Sequence, residues 1–186
     1  IVEAGAGTGI LAADLLTALE QHKPPRRYRI LERSAHLRQV QKETLARLAP
    51  QWFDKVSWLD EPPAHKWQGV FLANEVLDAL TFDRFCIRDN EIQQLMVATD
   101  PNGFKWHTGS GPAKLHAMIE STLSTLEQQP GDGYRSEINP GLTPWLQAVN
   151  RNLSRGLALF IDYGYARDEY YLPQRHDGTL ICHYQH

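Results

Sequence analysis

The sequence predicts an α/β fold: a Rossmann-like, doubly wound and mostly parallel sheet with an inserted β-hairpin and helix region. Three observations point to it. The opening Ile1-Val2-Glu3-Ala4-Gly5-Ala6-Gly7-Thr8-Gly9 takes an apolar pair through an acid into alternating glycines, the form of a strand, a tight turn and a helix start. Short apolar runs and helically spaced stretches then alternate along the chain, as βα units require. The 186 residues, 42% hydrophobic and 22% charged, suffice for one substantial core. A single domain over residues 1–186 is expected, with an insertion at about 82–133 that is short of core residues for its length.

The first helix is expected from about Gly9 to Gln21, with Leu11, Leu15, Leu16 and Leu19 on its apolar face and Lys23-Pro24-Pro25 ending it. Tyr28-Arg29-Ile30-Leu31-Glu32 reads as the second strand, closing on a carboxylate. Ser34 is placed to cap a helix running to about Leu48, which Pro50 stops. Lys55 to Leu59 and Gly69 to Ala73 read as the third and fourth strands, with Pro62-Pro63 in the loop between them.

After Leu80 the period changes. Residues 82–88 and 92–98 flank Asp89-Asn90-Glu91 as a hairpin, and loops at 100–103 and 109–112 enclose Phe104-Lys105-Trp106. A polar helix is expected over 113–128, broken by Pro130-Gly131-Asp132-Gly133. Residues 134–140 read as a polar loop. A helix from about Leu142 to Leu153 is followed by Gly156 as its terminating glycine, and Leu157 to Ile161 is a continuous apolar run, a buried fifth strand.

Composition excludes several function classes. A net charge of −3 supplies no basic field for nucleic acid, and Lys23-Pro24-Pro25-Arg26-Arg27 reads as a solvated loop. Cys86 and Cys182 form neither a disulfide framework nor a C-x-x-C metal motif, which fits a reducing compartment. His176, His183 and His186 lack a recognised ligand spacing, so they read as surface histidines and no metal is expected. No apolar run reaches membrane-spanning length and no secretory signal is visible, so no membrane insertion is expected. The chain starts inside its first strand, so residues upstream are expected, and the targeting segment is among what is not visible.

Gly5, Gly7 and Gly9 carry the chemistry of the opening turn. Without a Cβ they take positive φ and let a ligand approach the backbone, while the helix start beyond them favours a negatively charged group. A dinucleotide fingerprint wants its third glycine where Ile10 stands, which weakens a nicotinamide reading. The spacing E-x-G-x-G-x-G instead resembles motif I of class I S-adenosylmethionine (SAM) methyltransferases. That resemblance implies that the turn with Ala6 holds the methionyl part of SAM and that Glu3 helps anchor its amino group. Glu32, at the tip of the second strand, is placed to accept from two ribose hydroxyls. Asn74 and Glu75 would lie beyond the fourth strand, either as an N-cap and first-turn acid of a following helix together with Asp78, or facing a substrate.

Further blocks extend the resemblance over nearly the whole chain: Asp14-Leu15-Leu16, Leu37-Arg38-x-x-Gln41, Asn74-Glu75-x-x-Asp78-Ala79, Glu137-Ile138-Asn139-Pro140, Ile161-Asp162-Tyr163-Gly164-Tyr165 and Arg175-x-x-Gly178-Thr179-Leu180. Together they are similar to the MidA family of SAM-dependent methyltransferases, which includes a mitochondrial protein arginine methyltransferase involved in respiratory complex I assembly. Thr81 stands where that family often has proline. The resemblance implies methyl transfer to a protein, with arginine the acceptor of the mitochondrial relative. It also implies longer chains on both sides of this one, and a bacterial cytoplasm or a mitochondrial matrix as the compartment.

By analogy with the paired glutamates of other arginine methyltransferases, Glu75 and Glu137 are the candidates to clamp a guanidinium, with Asn74 and Asp162 lining the same cleft. A non-catalytic assembly or binding factor with the same fold is the second reading. A nicotinamide-dependent oxidoreductase is the third, disfavoured by Ile10.

Overall fold

The computed structural model describes residues 1–181, so Cys182, His183 and His186 lie outside the described residues. In chain order the elements are β1 (Val2–Ala4), α1 (Ile10–Glu20), β2 (Tyr28–Leu31), α2 (Ala35–Leu48), a 3-10 turn (Pro50–Lys55), β3 (Val56–Leu59) and β4 (Trp67–Asn74). There follow β5 (Asp83–Arg88), β6 (Glu91–Asp100), β7 (Gly103–Gly109), α3 (Ala113–Leu123), β8 (Arg135–Ile138), α4 (Leu142–Asn150), β9 (Leu153–Ile161) and α5 (Arg167–Tyr170). The chain divides into two compact units, one of Ile1–Ala79 with Thr143–Tyr163, the other of Leu80–Leu142 with the chain from Gly164 onward.

The first unit is built on a five-stranded parallel sheet of order β3-β2-β1-β4-β9. Its strand order reverses between β1 and β4, the place where open α/β sheets leave a crevice beyond their carboxyl ends. One face packs Ala12, Ala13 and Leu16 of α1 and Leu45 of α2 with Tyr28, Ile30 and Trp52. The other packs Val2, Ala4, Phe71 and Ala73 with Val149 and the rings of Trp145 and Phe160.

The α1 stripe departs from expectation. Leu16 is fully buried, but Leu15 and Leu19 are only partly covered, Leu11 is exposed, and the alanines take the buried places. Two methyl side chains in succession let the helix lie close on the sheet, which a leucine stripe would not.

Gly156 does not terminate a helix. It lies inside β9, at φ 151°, in register with Gly69 of β4, and a Cβ on it would overlap the Gly69 carbonyl oxygen. The glycine answers a close approach of two backbones, not a helix end. Nor is the fifth strand buried: β9 is an edge of the sheet among the described strands, and Leu157, Leu159 and Ile161 are exposed.

The second unit contains an antiparallel sheet of order β7-β6-β5-β8. Asp89 and Asn90 join β5 to β6 with φ of 53° and 59°, the two left-handed residues of a type I′ hairpin turn. This unit is not short of core. Phe85, Ile87 and Ile138 pack against Leu115, Ile119 and Leu123 of α3, closed by Tyr134 and Tyr171. The stretch read as a polar loop at 134–140 contains strand β8, since Ser136 and Ile138 face that core while Arg135 and Glu137 face away. No helix among the described residues is long and apolar enough to cross a membrane.

Candidate cofactor site

The glycine turn follows directly from β1. Gly5, Gly7 and Gly9 have φ of 64°, 52° and 84°, and Gly9 N–H donates to the Ala6 carbonyl at 2.8 Å. Each glycine answers a different demand. A Cβ on Gly5 would stand 2.8 Å from Val76 Cγ2, one on Gly9 would stand 3.2 Å from Gln41 Cα, and one on Gly7 would meet nothing within 4 Å. Gly7 therefore offers bare backbone to open space. Helix α1 begins at once with no side-chain cap and no acid in its first turn, so its positive end is left for a ligand to satisfy.

Glu3 is 1% exposed and accepts a hydrogen bond from the Tyr28 hydroxyl at 2.8 Å. Burial pushes its carboxyl up to about 7, and the Tyr28 hydrogen bond only partly offsets that. The same burial, with the neighbouring carboxylate, drives the Tyr28 hydroxyl upward as well. A buried acid poised near neutrality would ionise when a cation comes beside it.

At the tip of β2, Glu32 is held by its neighbours. Its Oε1 accepts from Ser34 N–H at 2.8 Å, its Oε2 from Gln41 Nε2 at 3.3 Å, and its carbonyl from Arg38 Nε at 2.6 Å. Ser34 caps α2 as expected, its hydroxyl accepting from Leu37 N–H at 3.2 Å.

Beyond β4 no helix forms, so Asn74 is not an N-cap and Glu75 and Asp78 are not first-turn acids; Asn74 is the last residue of the strand. Three hydrogen bonds strap the loop to the end of β9 instead. Glu75 N–H donates to the Ile161 carbonyl at 2.8 Å, Leu77 N–H to Asp162 Oδ2 at 2.8 Å, and the Tyr163 hydroxyl to Asp78 Oδ2 at 2.6 Å. The strap holds Glu75, an exposed non-glycine residue, at φ 50°. Asp162 Oδ1 is buried without a partner.

The first unit thus gathers Glu3, Gly5, Ala6, Gly7, Gly9, Glu32, Asn74, Glu75 and Asp162 along the carboxyl ends of β1, β2, β4 and β9. Glu137 belongs to the second unit. It is not in a loop but in β8, 4% exposed, with Oε1 accepting from Arg84 Nε at 2.9 Å and Oε2 from Thr179 N–H at 2.8 Å. A Cβ on Gly178 would overlap its carboxylate.

Gln41, Trp58 and Tyr28 belong to the site without having been singled out as site residues. For Gln41 the signal was present: a polar residue on the stripe Leu37-Gln41-Leu45, where helical spacing puts it inward. Among the described residues no cluster of three or more His, Cys, Asp or Glu side chains could hold a metal ion.

A parallel sheet whose switch point carries a triple-glycine turn, a buried acid on the first strand and an acid at the tip of the second defines an α/β protein that receives a nucleoside cofactor bearing a charged tail. The chain belongs to the family described as "putative S-adenosyl-L-methionine-dependent methyltransferase", whose model matches residues 1–186. The cofactor of that family is SAM. Among solved structures, that of a "likely methyl transferase" from Burkholderia thailandensis bound to S-adenosyl-homocysteine is similar at 37% identity and a TM-score of 0.88, over 100% of this chain and 47% of that one. An uncharacterised protein of the same superfamily, also from Burkholderia thailandensis, is similar at 36% identity and a TM-score of 0.88, over 98% of this chain and 48% of that one. The chain therefore spans about half the length of these relatives. No curated protein matches it.

Proposed function

We propose that this protein transfers a methyl group from SAM to a protein, that the acceptor is an arginine side chain, and that the acceptor protein is a respiratory complex I subunit. The observation that carries the cofactor part is the left-handed glycine turn opening onto an uncapped helix, with a buried Glu3 and an oriented Glu32 on either side. These residues fit the group: Gly7 and the start of α1 would receive the carboxylate of the amino-acid tail, Glu3 its ammonium, and Glu32 the ribose hydroxyls. When bound, SAM supplies an electrophilic methyl on a sulfonium.

What remains for the chain is alignment and electrostatics. A guanidinium stays protonated to very high pH and is a poor nucleophile. Glu75, held at the tip of β4 by its bond to Ile161, would orient one nitrogen of the acceptor and compensate the positive charge that moves onto it. Asn74 and the unpartnered Oδ1 of Asp162 would line the same edge of the sheet. Glu137, the other candidate for the clamp, lies in the second unit, where its Oε1 already accepts from Arg84 and its Oε2 from Thr179.

That engagement is also what favours the second reading, a non-catalytic binding or assembly factor on the same fold. The compartment that goes with the proposal is a bacterial cytoplasm or a mitochondrial matrix.

The test is transfer of labelled methyl from SAM by the full-length protein to extract proteins, read as methylarginine by mass spectrometry. Glu75→Gln should keep S-adenosyl-homocysteine binding within about threefold and lose transfer by about 100-fold, the scale of one lost electrostatic contact to the reacting group. Glu137→Gln should first lower the melting temperature, since it removes the buried charge that pairs with the part-buried Arg84. Full transfer by Glu75→Gln sinks its role, and binding without any transfer favours the assembly factor.

A further inference from the structure

Gln41 is completely buried on α2, and its amide bonds at both ends. Nε2 donates to the Gly7 carbonyl at 2.9 Å and to Glu32 Oε2 at 3.3 Å, while Oε1 accepts from the Trp58 indole N–H at 2.8 Å. An indole N–H can only donate, so Trp58 of β3 fixes which end of the amide is oxygen and aims the NH2 group at the other two partners. The side chain also walls the last glycine, its Cβ and Cγ lying 3.4 Å from where a Gly9 Cβ would stand.

The partners belong to separate parts of the site: the glycine turn, the carboxylate at the tip of β2, and the neighbouring strand β3. A carboxylate oxygen accepts about two hydrogen bonds. Ser34 N–H occupies one place on Oε1 and Gln41 one on Oε2, which leaves one place on each oxygen for a pair of vicinal hydroxyls.

We propose that Gln41 is a positioning residue that couples the two halves of the cofactor site, holding the turn that receives the amino-acid tail at a fixed distance from the carboxylate that receives the ribose. This rests on the SAM reading above and deepens it. A glutamine serving only to fill space here would gain nothing from its amide, because burying the group costs more than it returns unless it is hydrogen-bonded. Both N–H groups and the oxygen are bonded, and two of the three bonds run to cofactor-holding groups.

The experiment measures S-adenosyl-homocysteine binding calorimetrically on the full-length protein and on Gln41→Met, which keeps the volume and loses the amide. The dissociation constant should rise about 10- to 100-fold, the range of a lost hydrogen bond to a charged group. In a Glu32→Ala background the same substitution should cost less than about threefold, because one of its two acceptors is gone. An equal loss in both backgrounds means a merely structural role and overturns the proposal, as does a loss under about threefold with Glu32 present.

Trp58→Phe leaves the amide in place but frees it to turn over, and serves if Gln41→Met fails to fold. It should weaken binding about three- to tenfold, and unchanged binding there also overturns the proposal. If the folded wild-type protein does not bind S-adenosyl-homocysteine, the cofactor reading itself fails and takes this role with it. If the wild type binds and Gln41→Met binds equally, only the positioning role fails.

Discussion

Glu3 should make stability and cofactor affinity respond to pH in opposite senses. Its carboxyl rises from an ordinary 4.5 to about 7 in the fold, because burial withdraws water from the charged form more than the Tyr28 hydroxyl restores. The folded protein thus holds this proton more tightly than the unfolded chain. The resulting stability is complete below the ordinary carboxyl range and is lost as pH rises through about 7. At about 1.4 kcal/mol per unit, the shift is worth roughly 3 kcal/mol, of which about 2.5 falls between about pH 5 and pH 8. Urea unfolding of the wild type and of Glu3→Gln, which keeps an acceptor for Tyr28 but cannot ionise, isolates the term. The wild type should lose about 2.5 kcal/mol relative to the variant over that interval. An ammonium beside Glu3 reverses the preference, so S-adenosyl-homocysteine should bind more tightly as pH rises from about 6 to 8, and protons should be released in calorimetry run in buffers of different ionisation enthalpy. Parallel stability curves for the two proteins, or uptake of protons on binding, would refute the argument.

Two further substitutions probe the backbone. Glu75→Gly should stabilise the protein by about 1 kcal/mol in urea unfolding, since a non-glycine residue at φ 50° carries a left-handed penalty that glycine lacks, while methyl transfer falls away; a less stable variant would mean that the side chain, not the turn, is what the fold needs. Gly156→Ala should cost about 3 kcal/mol or more, because its methyl would displace the Gly69 carbonyl and part β4 from β9; a melting temperature within a degree of the wild type would show that the strands can yield.

The parts of the fold that could be read from the chain are those governed by local rules. Ser34 caps α2, Asp89-Asn90 turns the hairpin, and the three glycines take positive φ, each because the residue type and its near neighbours suffice to decide the matter. What escaped was decided by partners distant in sequence. Gly156 looks like a helix terminator beside Leu153, yet its reason for being glycine lies at Gly69, across a strand pairing no local window contains. The missing core of the second unit was likewise hidden, because Phe85 and Ile87 meet Leu115 and Ile119 only once the hairpin and α3 are brought together.

The geometry of the glycine turn was legible for the same reason, since such a turn writes itself in consecutive residues. The surroundings of the two glutamates proposed for the acceptor were not. An acid in a short polar stretch has the same appearance whether it faces a substrate or a part-buried arginine, and Glu137 is separated from Arg84 by two strands, a helix and the four connections that join them. Burial settles how it must be tested. A carboxylate that is 4% exposed and shares hydrogen bonds with Arg84 and Thr179 has its charge compensated within its own unit, so any loss of transfer in Glu137→Gln has to be set against a loss of folding before it says anything about chemistry. Glu75 is exposed and has no side-chain partner among the described residues, and its backbone is tied to Ile161 in a conformation that costs energy. Strain that serves no packing is retained where a side chain must point somewhere specific, and under the function proposed above that direction would be toward the acceptor.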